Sequence, residues 1–389
     1  MTEIKHKILQ PPAKLGIIGG GQLGKMITVE AKRMGYHVTI LDPTPSSPAG
    51  QVADEQITAS FMDRDAVKKL AENCDVITYE FEHIDADMLI DLEAQGYSIY
   101  PSGRSLKNIQ DKYVQKVMLN NAGVPVPEFL RIDSKQDVLK CIDTIGLPFV
   151  LKTCSGGYDG KGNFIVKTKE EADQAVEEFK GHKVMAERFI KFERELSIIV
   201  ARDFKNNYTF YPIVENIHEN SILRITRAPS NIDDVIAQKV RDTAKKVMQI
   251  LDDYGVFCIE MFLTQNGEVY INEIAPRPHN SGHYTIEACV TSQFEQLVRI
   301  ITGMPLGSTK QRSPCVMVNI LGSDAVEGQY GFEGIEDVLG EEDTHLHLYC
   351  KKYTKKMKKI GHITVLDELV NAAEEKALRV LEKIIIKPL

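Results

Sequence analysis

Two strand-like runs, Val256–Leu263 and Glu268–Ile274, are joined through Thr264-Gln265-Asn266-Gly267. Asn-Gly is the strongest short signal for a β-hairpin, because both residues tolerate the positive φ of a type I′ turn. An antiparallel sheet is therefore built into this part of the chain. If Asn266 and Gly267 form the turn, Glu260 and Glu273 lie equally far on either side and oppose each other on one face. Like charges opposed at ~5 Å are destabilising. A divalent cation between them reverses that sign. Oxygen-only ligands suit Mg2+, which takes one or two carboxylates and completes its shell with phosphates and water. Asn272 is adjacent and offers another oxygen. The competing reading is two solvated glutamates on an exposed face, one of them paired with a lysine; a bulge would also spoil the register.

The 389 residues suggest two or three domains at ~100–200 residues each. With 43 % apolar and 26 % charged residues the composition is globular and excludes a disordered or collagen-like chain. The net charge of −8 argues against general nucleic-acid binding, which runs on cationic surface. Seven cysteines, an odd number without CxxC spacing, indicate neither a disulfide framework nor a structural zinc site. The opening MTEIKHKILQPPAK has no apolar h-region, and no apolar run approaches the ~20 residues of a membrane span. A soluble, cytoplasmic protein without membrane contact is expected.

Strand and helix signals alternate through the first third. Lys14–Ile18, Val38–Leu41, Cys74–Thr78 and Tyr97–Tyr100 read as strands, with helices up to about Met34 and at Asp65–Glu72 and Ala86–Ala94. That is the α/β pattern of a parallel sheet covered by helices. Pro101-Ser102-Gly103 closes it with strong breakers. After a helix at Lys112–Asn121 the chain reads as α+β, strand-dense, with helices near Lys135–Ile145 and Asp233–Tyr254. The tail has a His- and Lys-rich strand-like stretch and a helix near Leu366–Ile385. Three units are expected, at residues 1–110, 111–320 and 321–389.

Two glycine-rich segments invite ligands. Gly19-Gly20-Gly21-Gln22-Leu23-Gly24 satisfies GxGxxG after a strand, and Asp42 ends the next strand. This is compatible with a dinucleotide fingerprint, with any phosphate-bearing substrate, or with a tight turn that needs glycine for sterics alone. Ser155-Gly156-Gly157-Tyr158-Asp159-Gly160-Lys161-Gly162 joins the strands Phe149–Lys152 and Asn163–Val166. It is no Walker A motif, since no helix follows, but its amides can wrap a polyphosphate, with Lys152 and Lys161 supplying charge. A ligand-free hairpin loop is the plainer alternative.

Taken together, GGYDGKG, Glu187-Arg188-Phe189-Ile190, the glutamates of IEMF and INEIAPRPHNSGH, and the opening GIIGGGQLGKM resemble the ATP-grasp ligases. Within them they are similar to the ligases that carboxylate an aminoimidazole ribonucleotide in purine biosynthesis. The resemblance runs from about Leu15 to His362. It implies an ATP-grasp fold with an N-terminal Rossmann-like (pre-ATP-grasp) domain and a small C-terminal domain. It implies a reaction of ATP, bicarbonate and 5-aminoimidazole ribonucleotide through carboxyphosphate, giving ADP and phosphate, by a homodimer. The formate-dependent glycinamide ribonucleotide transformylases share the scaffold but differ in the loop and lack the HNSGH form.

The resemblance also implies roles. Lys112 and Lys152 match cations on the ATP phosphates, and Gly157, Tyr158, Asp159, Gly160, Lys161, Gly162 and Asn163 match the lid over them. Glu187, Arg188, Phe189 and Ile190 match the segment that meets adenine, Glu195 the ribose-binding carboxylate, and His218 a further nucleotide contact. Glu260 and Glu273 match the Mg2+ ligands, with Asn272 beside them. Arg277, His279 and Asn280 would hold bicarbonate and the carboxylated intermediate, while Tyr158 and Asp159 face the aminoimidazole. Asp159 or His279 is the candidate proton acceptor. Gln22, Leu23 and Glu82 match contacts to the ribonucleotide, with Glu80 close enough to confuse the assignment, and Asp42 keeps no cofactor role. Lys351, Lys358 and Lys359 match the segment that binds the substrate 5′-phosphate. There this chain reads YCK and KKMKKIGH where the family has patterns like YGK and RPGRKMGH. Lys355 and Lys358 replace arginines, Cys350 and Met357 replace glycines, and Lys356 replaces proline. Lysine keeps the charge but loses the planar fork that grips phosphate bidentately. Two other classes stay open at this point. A nicotinamide oxidoreductase leaves the glutamate pair and GGYDGKG without a purpose, and a non-catalytic nucleotide-binding protein is motivated by the altered lysine stretch.

Overall fold

The computed structural model describes residues 8–156, 162–179 and 181–389. The chain begins with β1 (Lys14–Ile18), α1 (Gln22–Arg33), β2 (His37–Leu41), β3 (Glu55–Ile57), α2 (Arg64–Asn73), β4 (Val76–Tyr79), α3 (Ala86–Ala94) and α4 (Gly103–Gln110). The strands lie in the order β3-β2-β1-β4, all parallel. β1, β2 and β4 are almost wholly buried, as expected of strands covered on both faces by helices. One sequence expectation needs correction: Tyr97–Tyr100 forms no strand, only a parallel bridge between Ile99 and Ile77. After Pro101, Ser102 caps α4 by accepting from the Ser105 amide.

A second, four-stranded antiparallel sheet follows. Its elements are α5 (Lys112–Asn121), β5 (Phe129–Ile132), α6 (Lys135–Thr144), β6 (Phe149–Thr153), β7 (Asn163–Val166), α7 (Lys169–Glu178) and β8 (Val184–Arg188), with strand order β5-β8-β6-β7.

The largest sheet has nine strands. It is built from β9 (Phe192–Arg202), β10 (Tyr208–Phe210), β11 (Val214–Glu219), β12 (Ile222–Ala228), β13 (Gly255–Thr264), β14 (Val269–Ala275), β15 (Cys315–Leu321), β17 (Thr344–Leu348) and β18 (Lys359–Leu366). Their order is β14-β13-β9-β11-β12-β15-β18-β17, with β10 paired on β9. The helices α8 (Asp234–Leu251), α9 (Thr285–Ala288) and α10 (Gln293–Ile301) connect and cover them. β16 (Tyr330–Glu333), α11 (Ile335–Leu339), α12 (Val370–Lys383) and β19 (Ile385–Pro388) complete the tail, where β16 pairs with β19. The sheet thus runs unbroken across residue 320. One apolar cluster also spans all three parts: Ile17, Ile27 and Val38 share it with Phe294 and Leu297, and with Met317 and Tyr349. Such a shared core holds the site-bearing edges of the three parts in fixed relation. Among the described residues no helix is long and apolar enough to cross a membrane.

Candidate active site

The opposed glutamates are real. Glu260 pairs with Glu273 across β13 and β14, but by a route other than the turn arithmetic. The Thr264 amide donates to the Glu268 carbonyl and the Gly267 amide to the Thr264 carbonyl, so the loop has three residues, with Gly267 at φ +73°. That loop alone sets the register one position off, with Met261 opposite Ile271. A bulge at Asn272 restores it, and so the irregularity that threatened the pairing is what produces it.

The electrostatics of the pair are asymmetric. Lys112 Nζ lies 2.7 Å from Glu273 Oε2. Burial works against Glu273 ionising, but the Lys112 ammonium outweighs it and holds the carboxyl below its usual range. Among the described residues Glu260 has no lysine or arginine at ion-pair distance, only His279 Nε2 at 3.6 Å. Burial, with the charges of Glu273 and Glu195 added, pushes Glu260 up to about 7 against the pull of His218. Two carboxyl groups therefore meet with one ammonium at ion-pair distance among the described residues, that of Lys112 on Glu273, a set short of positive charge. Among the described residues no group of three or more His, Cys, Asp or Glu is arranged around a metal. Mg2+ requires none, since phosphates and water complete its shell.

The remaining nucleotide candidates lie near the pair, with Lys152 acting on the charge of Glu273 and His218 and Glu195 on that of Glu260. Lys152, near the end of β6, donates to Glu187 Oε1 at 3.0 Å. The Glu187 carboxylate is turned inward and buried, leaving only its backbone to face a ligand. Arg188 pairs with Glu128, and Phe189 is exposed. On the adjoining strands His218 Nδ1 lies 2.5 Å from Glu195 Oε2. Burial would lower the His218 pKa, but the hydrogen bond and charge of Glu195 raise it. Gly162 sits at φ +85°, where a Cβ would meet Thr153 Oγ1 at 2.4 Å, and Asn163 pairs with Lys152. Gly157, Tyr158, Asp159, Gly160 and Lys161 lie outside the described residues.

Behind the glutamates the segment Arg277–Gly282 turns through a short 3-10 helix, Asn280–Gly282. Arg277 forms an ion pair with Glu82, its Nη2 donating to Oε2 at 3.2 Å and its Nε lying 2.9 Å from Oε1. The structure thus brings together two residues expected to hold different substrates. His279 Nδ1 accepts from the Ser281 backbone amide at 3.3 Å and lies 2.8 Å from Ser281 Oγ. A backbone N–H can only donate, so in the neutral ring the proton sits on Nε2, 3.6 Å from Glu260 Oε1. Burial, with Arg277 and Lys359 nearby, holds the His279 pKa well below its usual value. In this arrangement Nε2 is a hydrogen-bond donor. Nothing in the sequence announced the chain behind it: Thr226 Oγ1 donates to Asn216, Asn216 Nδ2 to Ser197, and Ser197 Oγ to Ser281. Asn280 is buried, yet its Oδ1 and Nδ2 both lack a hydrogen-bond partner. An orphaned amide at this place fits a ligand-binding role, since buried polar groups are otherwise satisfied.

The first glycine loop is already full. Glu80, at the end of β4, accepts from the Gly21 amide at 2.5 Å with Oε1 and from the Gly24 amide at 2.6 Å with Oε2. Asp42 Oδ2 accepts from the Gly20 amide at 2.8 Å. The amides that would cradle a pyrophosphate are thus occupied by the protein's own carboxylates, and the dinucleotide reading falls. Gln22 opens α1, while the Leu23 side chain joins the core. The lysine stretch docks on this region, with Lys25 Nζ donating to the Leu348 carbonyl at 3.1 Å and Gln51 Nε2 to the Cys350 carbonyl at 3.1 Å. Lys351 Nζ donates to the Lys359 carbonyl at 2.9 Å and Lys358 Nζ to the Tyr353 carbonyl at 2.8 Å. Burial, with Lys355 beside it, lowers the Lys358 pKa.

Three family profiles match in sequence. They are the ribonucleotide synthetase preATP-grasp domain over residues 13–110, the ATP-grasp domain over 117–294, and the phosphoribosylaminoimidazole carboxylase C-terminal domain over 315–376. The N5-carboxyaminoimidazole ribonucleotide synthase of Bacillus subtilis strain 168 is 43 % identical over 366 residues, 94 % of each chain. The chain belongs to the N5-carboxyaminoimidazole ribonucleotide synthase family. The crystal structure of the Thermotoga maritima synthetase is similar at TM-score 0.88 and 46 % identity, covering 97 % of this chain and 100 % of that one. The Aspergillus clavatus synthase, solved in complex with ADP and 5-aminoimidazole ribonucleotide, is similar at TM-score 0.88 and 35 % identity, covering 95 % and 99 %. The fold is accordingly ATP-grasp, with a preATP-grasp domain before it and the family's C-terminal domain after it, as the sequence motifs implied.

Proposed function

We propose that this protein is an ADP-forming C–N ligase that carboxylates 5-aminoimidazole ribonucleotide with bicarbonate and ATP in purine biosynthesis. The observation that carries the reading is the opposed Glu260 and Glu273, short of positive charge and in reach of Lys112. ATP is drawn into the cleft by Lys112 and Lys152, with adenine against the backbone of 187–190 and ribose at Glu195 and His218. Glu260 and Glu273, with Asn272 beside them, would hold Mg2+, which would supply charge neutralisation for phosphoryl transfer to bicarbonate. Arg277 and the Nε2–H of His279 donate to the bicarbonate oxygens and then to the carboxylate of carboxyphosphate, and Asn280 completes the cradle. Fixed donors of this kind stabilise developing charge without reorganisation. A lid over the phosphates, the role that residues 157–163 match in sequence, would matter because carboxyphosphate hydrolyses readily in water. The exocyclic amine of the ribonucleotide then attacks the carboxyl carbon of carboxyphosphate, forming the C–N bond as the C–O bond to the phosphoryl group breaks and inorganic phosphate leaves, with Asp159 the other candidate to take the amine's proton. Gln22, Leu23 and Glu82 meet the ribonucleotide, and Lys351, Lys358 and Lys359 its 5′-phosphate. A homodimer in the cytoplasm belongs to the same reading.

The test is ADP release by the purified protein with each substrate withheld in turn. Release should require both aminoimidazole ribonucleotide and bicarbonate. Glu273→Gln should lower turnover about 100-fold, within the range of losing one preorganised electrostatic contact. Lys358→Ala should raise the ribonucleotide KM strongly with little change in the ATP KM. Formate replacing bicarbonate, or ATP binding without any turnover, overturns the proposal.

A further inference from the structure

No motif singled out Lys116, yet it is the one lysine buried among the described residues. It stands one turn after Lys112 on α5, so both side chains leave the same face of the helix. Its Nζ donates to the Ile271 carbonyl on β14 at 2.7 Å and lies 3.1 Å from Glu187 Oε2. Lys116 thereby ties β8, in the four-stranded sheet, to β14, at the edge of the nine-stranded one. The other oxygen of Glu187 accepts from Lys152 at 3.0 Å. One carboxylate, 2 % exposed, answers to two ammonium groups of unequal freedom. Lys116 is itself 2 % exposed and held by two partners, while Lys152 is 13 % exposed and stands just before the glycine loop.

A lysine that neutralises a buried carboxylate is not free to meet a phosphate. If Lys152 were the sole cation on Glu187, its departure would strand a buried anion, which is strongly unfavourable. A second, immovable cation removes that obstacle. We propose that Lys116 is a positioning residue for nucleotide binding: as the standing counter-charge of Glu187, it releases Lys152 to engage a nucleotide phosphate. The inference rests on the reading of Lys152 as a phosphate-binding cation.

Calorimetric titration with ADP tests it in a double-mutant cycle. Lys116→Met should weaken ADP about tenfold, because Glu187 then claims Lys152 alone. In a Glu187→Gln background no anion competes for Lys152, and the same Lys116→Met change should shift the ADP Kd by less than about twofold. If Lys116 is merely structural, Lys116→Met lowers the melting temperature and leaves the ADP Kd of the folded protein unchanged. That result, or an equal loss in both backgrounds, overturns the proposal. Where Lys116→Met alone does not fold, the two proteins that carry the Glu187→Gln change decide, since a loss of about tenfold between them means that Lys116 does not act through Glu187. Lys152→Met is measured alongside. Unchanged ADP affinity there defeats the reading of the site itself, whereas a loss there with Lys116→Met silent defeats only the present inference.

Discussion

Cys350 and Met357 have φ of +58° and +63°, the left-handed region in which a side chain crowds its own backbone. Both stand where the family pattern has glycine, and the dihedrals explain what that glycine was for. Holding a residue other than glycine there costs ~1–2 kcal/mol, partly offset because glycine loses more chain entropy on folding. Cys350→Gly and Met357→Gly should therefore each stabilise the fold by roughly 0.5–1 kcal/mol in urea unfolding. Unchanged or lower stability would show that the lysine loop has relaxed around its larger residues. Glu80 and Glu82 show where reading at this scale stops. Both follow the same strand, and only their distant partners, the amides of Gly21 and Gly24 for one and Arg277 for the other, separate a structural plug from a candidate substrate contact.

At the scale of elements, the sequence was most legible where local chemistry decides. The helices Ala86–Ala94 and Lys112–Asn121 and the strand Lys14–Ile18 have the expected bounds, because caps, breakers and periodicity all lie within a few residues. The hairpin was legible in outcome but not in route. Asn-Gly marked the turn, while the three-residue loop and the bulge at Asn272 answer to pairing further along the strands. Deleting Gln265 should leave Asn266-Gly267 as a two-residue turn without moving any pair, since Thr264 and Glu268 already face each other. Such a variant should keep its turnover within about twofold, because surface loop tips tolerate changes of length. A large loss would mean that the loop itself takes part in the site. β16, β19 and the hydroxyl chain behind His279 escaped the sequence reading because their partners are remote in sequence, and β3 because three residues are too few to show a period.

Over the whole molecule, three units were expected and three family profiles match, yet the largest sheet ignores those divisions. β12 and β18 flank β15, with Val318 opposite Ile225 on one side and Ile363 on the other. Pairings this far apart carry no local signal, which is why the tail read as a separate body. A chain ending after Leu321 would expose one edge of β15, a strand whose first six residues are buried. Unpaired apolar edges recruit other chains. Residues 1–321 expressed alone should therefore aggregate, while a soluble monomer that binds ATP would show that the edge is tolerated. The same seam bears on how such proteins exchange parts. A crossover between two relatives near residue 315 joins fragments at a convenient gap in the sequence but splits a woven fabric, so β15 and both its neighbours must descend together or be refitted afterwards. Hybrids that keep residues 222–228 and 315–366 from one parent preserve that weave; those that do not inherit a mismatch in the middle of their largest sheet.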